Sequence, residues 1–330
     1  MMIDLKNIYV HGRFHLDQKL YLYNTASGIE FNAFSKVIKV VMNVIPGQVN
    51  EAWVRIIIDN NYDNGLDIHL AEKEKEYVIC AFDHNEEHNI KLLKVSEAIE
   101  SHIVISDISL DGNYLKKPQY ENELLVFGDS TASAYGNLGK ATDVKQLYDT
   151  DGLNGFCFLC AKAYNIPMVG LTASGWGAAF SPWTTPQRIS LVSYYDKVAP
   201  FSDISFDMKQ VSPKAVIISL GTNDSYYIIN GETGKTKEDL TKEFMNYYHK
   251  LLTLIKRDFH DVPIIMVYGA MRERHNYEVM HKIYLDNVDS FNLYEVVLDG
   301  DGKGVSGHPS IESDKKMSKE LIKKIGEVSK

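Results

Sequence analysis

The sequence predicts two domains, an all-β sandwich or jelly roll followed by an α/β domain built on a parallel five-stranded sheet. Two observations predict this. Up to about residue 110, apolar and β-branched residues fall in short runs broken by turn signals, as in all-β domains. After residue 118, apolar runs of strand length alternate with helical segments, which is the pattern of a parallel α/β sheet. The segment 111–118 is polar and ends in proline, so we assign the domains to residues 1–118 and 119–330.

In the first domain we predict strands at 20–23, 37–45, 53–58, 77–82, 90–93 and 103–108. Turn signals separate them at 45–47, 63–65 and 83–85. This domain could bind sugar or could simply support its neighbour, because the sequence does not place a row of aromatic residues on one face.

In the second domain we predict strands at 124–127, 167–171, 215–220, 264–268 and 294–298. The clearest helix is 237–257, where apolar residues recur every three or four positions: Leu240, Phe244, Tyr248, Leu251 and Ile255. A last helix starts at about Glu312, with Ser310 as its N-cap.

Three short motifs in the second domain point to chemistry. A Gly-Asp-Ser tripeptide ends at Ser130 directly after the first apolar run, a Gly-Thr-Asn-Asp stretch contains Asn223, and a Gly-His-Pro-Ser stretch contains His308. Catalytic groups in open α/β sheets lie at the carboxyl ends of strands, which is where Ser130 and Asn223 would stand. Each motif is common alone, and the three in this order are specific.

In this order, with Gly175 between them, these residues resemble the four sequence blocks of the SGNH (GDSL-like) hydrolases, which are serine esterases on a flavodoxin-like sheet. The resemblance covers the chain from about residue 121 to its end. It implies that Ser130 is the nucleophile, that His308 is the base, and that Gly175 and Asn223 stabilise the oxyanion. It also implies that no metal or other cofactor is needed.

The N-terminal part resembles carbohydrate esterase family 2 in two places, residues 10–14 (Val-His-Gly-Arg-Phe) and residues 92–97 (Leu-Leu-Lys-Val-Ser-Glu). Members of that family join a β-sandwich to an SGNH domain and remove acetyl groups from sugars. The resemblance therefore implies an acetylated small carbohydrate or oligosaccharide as the substrate.

Acyl transfer requires a nucleophile, a base and hydrogen-bond donors for the oxyanion. We expect Ser130 to lie where a strand turns into a helix, so that its backbone N–H can be one donor. The backbone N–H of Gly175 and the side-chain amide of Asn223 would be the others. We expect Asp129 to hold the turn by accepting from backbone amides.

The sequence does not identify the third member of a catalytic triad. In SGNH hydrolases an acid stands three residues before the histidine, and that position is Val305 here. Family 2 has members with a Ser-His dyad, in which a backbone carbonyl orients the imidazole, and we expect that arrangement. The glycine-rich loop 298–307 could instead bring Asp301 or, next in order, Asp299 to the ring.

Two insertions, 137–150 and 181–203, follow motif blocks and would overhang the site. The tryptophans nearby, Trp176 and Trp183, are candidates for stacking on a sugar ring, and buried packing is the alternative.

The chain has 35 Lys and Arg against 44 Asp and Glu, a net charge of -9, which argues against nucleic acid and anionic membranes as partners. No apolar run approaches about 18 residues, and the first residues do not resemble a signal peptide, so we expect a cytoplasmic protein. Cys157 and Cys160 lie in an apolar helical stretch and are interpreted as buried structural thiols. The oligomeric state is not indicated.

Two other functions fit parts of the pattern. A lipid esterase or thioesterase of the same fold would prefer long acyl chains. A catalytically silent carbohydrate-binding protein would require a broken Ser, Asn or His motif, and all three are intact.

Overall fold

The computed structural model describes residues 3–271 and 277–329. The chain forms two compact units, Met1–Glu121 and Asn122–Lys330.

The first unit is an antiparallel β domain in which all nine strands belong to one hydrogen-bonded sheet. The strands are β1 (Tyr9–His11), β2 (Phe14–Leu16), β3 (Leu20–Leu22), β4 (Gly28–Pro46), β5 (Glu51–Ile58), β6 (Leu66–Ala71), β7 (Lys75–Lys94), β8 (Ser101–Leu110) and β9 (Asn113–Tyr114). The all-β prediction is confirmed.

The core of this unit follows from the two-residue period of its strands. Along much of β4 buried residues alternate with more exposed ones, so that one set of side chains points into the core. Its apolar members pack with those of the other strands, among them Ile29, Phe31, Val40, Val54 and Leu92.

The predicted turn at 83–85 is wrong. The runs 77–82 and 90–93 belong to the single strand β7, which pairs with β4 from Gly28↔Leu93 to Met42↔Lys75. Glu86 to Asn89 pair with β4, whereas the register shifts between Val37↔Ala81 and Ser35↔Glu86. The polar residues 83–85 therefore lie in an irregularity of a continuous strand.

The second unit is an α/β domain. Its strands are β10 (Glu123–Gly128), β11 (Met168–Thr172), β12 (Pro213–Ser219), β13 (Ile264–Tyr268) and β14 (Leu293–Val297), and its helices are α1 (Phe156–Ala163), α2 (Thr222–Asn230), α3 (Lys237–Phe259), α4 (Tyr277–Asn287) and α5 (Ile311–Val328). The five strands lie in the order β11-β10-β12-β13-β14 and every neighbouring pair is parallel, which confirms the predicted flavodoxin-like sheet.

Sequence accounts for these elements. Every residue of β10, β11 and β13 is buried, as expected for parallel strands covered on both faces. The predicted apolar stripe of α3 is buried, and Thr236 and Asp239 form a capping box at its start. Ser310 caps α5 by accepting the N–H of Ser313. The three cysteines are buried thiols.

The described part of the chain contains no helix that is long and apolar enough to cross a membrane. Within the same residues, no group of three or more His, Cys, Asp or Glu side chains is arranged to hold a metal ion.

The sheet also determines where the motifs meet. Gly128, the last residue of β10, is in register with Thr172 of β11 on one side and with Ser219 of β12 on the other. The segments that follow these three strands therefore begin side by side at the carboxyl ends of the strands.

Candidate active site

Ser130 lies two residues beyond β10, in a turn held by Asp129. The carboxylate oxygen Oδ1 of Asp129 accepts the backbone N–H and the hydroxyl of Thr131, each at 2.9 Å. The expected strand-to-helix transition at Ser130 is wrong. Residues 130–138 form consecutive turns, because Ala134 has a φ of 61 degrees and interrupts a helical path.

His308 is hydrogen-bonded to Ser130. The distance from His308 Nε2 to Ser130 Oγ is 2.8 Å, and both residues are only 7% exposed. The other ring nitrogen, Nδ1, lies 2.8 Å from the carbonyl oxygen of Val305. A carbonyl only accepts hydrogen bonds, so Nδ1 carries the proton and Nε2 is left to accept from the serine hydroxyl.

The loop that carries His308 is tied to the nucleophile turn through backbone bonds. Val305 donates its N–H to the carbonyl of Gly136 at 3.0 Å, and its side chain is completely buried. Its carbonyl also accepts the backbone N–H of His308 at 3.1 Å, and Gly304 donates to the carbonyl of His308 at 2.8 Å. The carbonyl that faces the imidazole is therefore held rigidly.

Asp301 and Asp299 make hydrogen bonds and an ion pair with residues other than His308, whose Nδ1 is bonded to the carbonyl of Val305. Asp301 accepts the N–H and the hydroxyl of Ser310, at 2.9 and 2.6 Å, and so organises the start of α5. Asp299 is half exposed and forms an ion pair with Lys316 at 3.6 Å. The atom hydrogen-bonded to Nδ1 of His308 is the carbonyl oxygen of Val305, three residues earlier in the same loop.

Tyr135 covers the imidazole. Its ring lies 4.5 Å from the ring of His308, and the ammonium group of Lys145 lies 5.0 Å from the Tyr135 ring. Sequence reasoning missed Tyr135. The available signal in the sequence was an aromatic residue five positions after Ser130. In the structure its backbone N–H donates to the carbonyl of Ser130 at 2.9 Å.

Gly175 and Asn223 lie on the two segments that flank the nucleophile turn. Gly175 has a φ of 81 degrees, and a Cβ on it would lie 3.0 Å from the Cβ of Trp183, so the position requires glycine. Asn223 is buried in the first turn of α2 and donates from Nδ2 to the carbonyl of Trp176 at 2.8 Å. This bond joins the segment after β11 to the segment after β12.

Two buried carboxylates flank these residues. Burial raises the pKa of Asp129 to about 6, against the hydrogen bonds from Thr131 and Thr222 that favour its charged form. Burial also raises the pKa of Asp224 to about 6, and the charge of Asp129 acts in the same direction.

The two tryptophans differ in their surroundings. Trp176 is 1% exposed, and its ring packs edge-on against Tyr194 and Phe201, so the structure contradicts the expectation that it stacks on a substrate. Its ring is covered instead by these two residues of the insertion 181–203. Trp183 is 61% exposed and lies against Tyr226, with 4.9 Å between the ring centres.

Family comparisons divide the chain in the same way as its fold. Residues 10–118 match the model described as carbohydrate esterase 2 N-terminal, and residues 124–321 match the model described as GDSL-like lipase/acylhydrolase.

Two curated relatives are similar to this chain. Cellulase/esterase CelE of Acetivibrio thermocellus is 23% identical over 316 residues, which is 91% of this chain and 37% of that protein. The acetylxylan esterase / glucomannan deacetylase of Cellvibrio japonicus is 26% identical over 215 residues, 63% of this chain and 60% of that protein. The matched regions thus span 37% and 60% of these relatives, less than two thirds of either.

Solved structures share the fold. A family two carbohydrate esterase from Clostridium thermocellum in complex with cellohexaose has a TM-score of 0.85 at 22% identity, covering 97% of this chain and 98% of that one. One from Cellvibrio japonicus has a TM-score of 0.85 at 18% identity, covering 98% and 96%. An acetyl xylan esterase from the rumen bacterium Butyrivibrio proteoclasticus has a TM-score of 0.82 at 20% identity, covering 98% and 96%.

Proposed function

Because the chain belongs to the GDSL-like lipase/acylhydrolase family, we propose that it removes acetyl groups from a carbohydrate by way of an acyl-enzyme on Ser130. The observation that carries the proposal is the pair of hydrogen bonds on His308, to Ser130 Oγ and to the carbonyl of Val305, each 2.8 Å long. A serine with an imidazole so oriented is an activated nucleophile.

In the acylation step, Ser130 Oγ attacks the carbonyl carbon of the acetyl ester and its proton passes to His308 Nε2. The tetrahedral intermediate collapses, the ester C–O bond breaks, and the imidazolium donates the proton to the departing sugar oxygen, which leaves as a hydroxyl. In the deacylation step a water molecule, deprotonated by His308, attacks the carbonyl carbon of acetyl-Ser130. The bond from that carbon to Ser130 Oγ then breaks, the imidazolium returns the proton to Oγ, and acetate is released.

The oxyanion requires donors that are in place before the reaction. We assign this role to the backbone N–H groups of Ser130 and Gly175 and to the amide of Asn223. The amide nitrogen carries two hydrogens, and one of them is engaged by the carbonyl of Trp176. The second is the one assigned to the oxyanion.

We propose a dyad and not a triad. The Val305 carbonyl fixes the tautomer of His308 as a carboxylate would, and its dipole offers the imidazolium less charge stabilisation than a carboxylate. The bonds of Val305 to Gly136 and of Gly304 to His308 support this assignment, because they hold the carbonyl in place.

The substrate assignment rests on four observations. The curated relatives are named cellulase/esterase and acetylxylan esterase / glucomannan deacetylase, and the first unit matches the N-terminal model of carbohydrate esterase 2. Trp183 presents an exposed ring beside Gly175, paired with Tyr226, and such surfaces suit the apolar face of a sugar. The net charge of -9 favours a neutral substrate.

Acetate release from an acetylated xylo-oligosaccharide, with 4-nitrophenyl acetate as a second substrate, tests the proposal. We expect turnover of both by the wild-type protein and of neither by Ser130→Ala. A pure, folded wild-type protein that hydrolyses neither ester would refute the proposal.

A series of 4-nitrophenyl esters separates this function from that of a lipid esterase. We expect kcat/KM to fall as the acyl chain lengthens from acetyl to octanoyl. A rise with chain length would point to a lipid esterase or a thioesterase of the same fold.

A further inference from the structure

Asp224 is a buried acidic residue to which the proposed mechanism assigns no role. It follows Asn223 in the first turn of α2 and is 0% exposed. Its carboxylate accepts three consecutive backbone N–H groups of another segment: Ala178 at 2.9 Å, Ala179 at 2.8 Å and Phe180 at 2.9 Å. The segment after β11 is thus wrapped around one side chain of α2.

A carboxylate at the third position of a helix usually accepts hydrogen bonds from the start of its own helix, whereas Asp224 accepts them from another segment. Asp239 occupies the equivalent third position of α3, where it bonds the N–H and the hydroxyl of Thr236 at its own helix start. The N-cap of α2 is Gly221, which has no side-chain cap, and Asp224 reaches across to residues 178–180 instead.

The segment is shaped to fit the carboxylate. A Cβ on Gly177 would lie 2.5 Å from Oδ2 of Asp224 and 2.2 Å from the carbonyl oxygen of Phe180, so only glycine permits the approach. By contrast, a Cβ on Gly170 in β11 would meet no atom closer than 3.5 Å.

The same segment carries one oxyanion donor and contacts another. Gly175 lies in it, and the carbonyl of Trp176 accepts from Nδ2 of Asn223 at 2.8 Å. Upstream, Ala173 donates to the carbonyl of Gly128 at 3.1 Å, which ties the segment to the nucleophile strand. Asn223 and Asp224 therefore hold its middle and its far end from one helical turn.

We propose that Asp224 is a positioning residue that clamps residues 178–180, so that the Gly175 N–H and the Asn223 amide converge on one oxyanion. The proposal rests on the proposed esterase function. Asp224 touches neither substrate nor nucleophile in this scheme, and acts through the two donors.

The energetics favour a positioning role over a simple contribution to stability. Burying a carboxylate is costly, and here a second buried carboxylate, Asp129, adds repulsion. Charge-assisted bonds to three amides offset that cost and constrain the segment more tightly than neutral bonds would. A displacement of about 1 Å in such a site costs about 10²-fold in rate.

The experiment compares Asp224→Asn with Asp239→Asn, the matched carboxylate of α3. Asparagine keeps the size of the side chain and turns an N–H donor toward amides that need an acceptor. For 4-nitrophenyl acetate we expect kcat of Asp224→Asn to fall by about 10²-fold, with KM within about twofold of wild type. Asp239→Asn should retain the wild-type kcat.

A transition-state mimic separates positioning from a general loss of structure. A trifluoromethyl ketone adds to the active serine as a hemiketal oxyanion, so its affinity should fall in Asp224→Asn by about the same factor as kcat, while binding of the deacetylated sugar product stays as in wild type.

Gly177→Ala provides a second perturbation, from the other side of the same contact, with Gly170→Ala as its control. It decides the question if Asp224→Asn does not fold. We expect the same loss of kcat in Gly177→Ala and none in Gly170→Ala.

Wild-type kcat in the folded Asp224 variant, or a change confined to KM, would overturn the proposal and leave the esterase function standing. A wild-type protein without esterase activity would overturn both, and that failure is recognised from the wild-type assay alone.

Discussion

Replacing Asp301 with Asn should leave the catalytic rate close to that of the wild-type enzyme. In the structure this carboxylate serves the start of α5, where it accepts the N–H and the hydroxyl of Ser310. The atom that faces Nδ1 of His308 is the carbonyl oxygen of Val305, at 2.8 Å. The substitution therefore removes a capping contact and leaves the dyad in place.

A dyad and a triad predict losses of kcat for this variant that differ enough to be distinguished. Replacing a triad acid with the corresponding amide lowers kcat by about 10⁴-fold. This corresponds to about 5.4 kcal/mol, at 1.36 kcal/mol per tenfold change in rate. Loss of a capping contact at a helix start costs about 1 kcal/mol of stability. We expect kcat to fall by less than about tenfold, with a lower Tm as the main effect.

The assay is kcat for 4-nitrophenyl acetate, measured for Asp301→Asn and Asp299→Asn separately, with circular dichroism to verify folding. The Asp299 variant loses an ion pair between exposed side chains, worth about 0 to 1 kcal/mol, and is the matched control. A fall of about 10⁴-fold in either folded variant would refute the dyad and identify that Asp as the third member.

Three further predictions concern Asn223, Trp183 and Asp314. Asn223→Ala should lower kcat by about 10²- to 10³-fold, the effect of one lost oxyanion donor, with little change in KM. Trp183→Ala should raise KM for an acetylated oligosaccharide severalfold and leave the kinetics of 4-nitrophenyl acetate unchanged, because only the sugar would use the exposed ring. Asp314→Asn should alter the pH dependence of stability, because burial raises the pKa of Asp314 to about 8. The native state keeps that proton up to about pH 8 while the unfolded chain releases it near pH 4, so wild-type stability from this group falls as pH rises between those values.

Each of these has a contrary outcome. An effect of Asn223→Ala confined to KM would exclude the donor role. Equal losses on both substrates in Trp183→Ala would show that the ring serves the fold rather than the sugar. For Asp314, the Tm of the Asn variant should gain on that of the wild type between pH 5 and pH 9, and a constant difference would contradict the raised pKa.

Much of the fold was predictable because it depends on local periodicity. The run at 264–268 coincides with β13, and the stripe of α3 was visible in the spacing of its apolar residues. The predictions failed where long-range contacts override local signals. Residues 83–85 remain within β7 because the strand pairs with β4 on both sides of them, across a shift in register.

The site residues were visible in the motifs. A backbone carbonyl was expected as the partner of His308, but the sequence did not identify the residue that supplies it. Val305 acts through its backbone carbonyl, which no side-chain pattern encodes, and Asp224 acts on a segment more than forty residues upstream in the chain, as the bond to Ala178 shows. Trp176 and Trp183 have the same side chain in the same region, and only the packing of the insertion distinguishes the buried ring from the exposed one.

The central claim, that Ser130 forms an acetyl-enzyme with a carbohydrate acetate, is tested most directly by trapping that intermediate. The wild-type enzyme would be mixed with an acetylated xylo-oligosaccharide, quenched in acid at short times and analysed by peptide mass spectrometry. We predict one added acetyl group on the peptide that contains Ser130, formed at least as fast as steady-state turnover and absent in Ser130→Ala. Acetate release without acetylation of Ser130 in the pre-steady state, or acetylation of another residue at the turnover rate, would contradict the account.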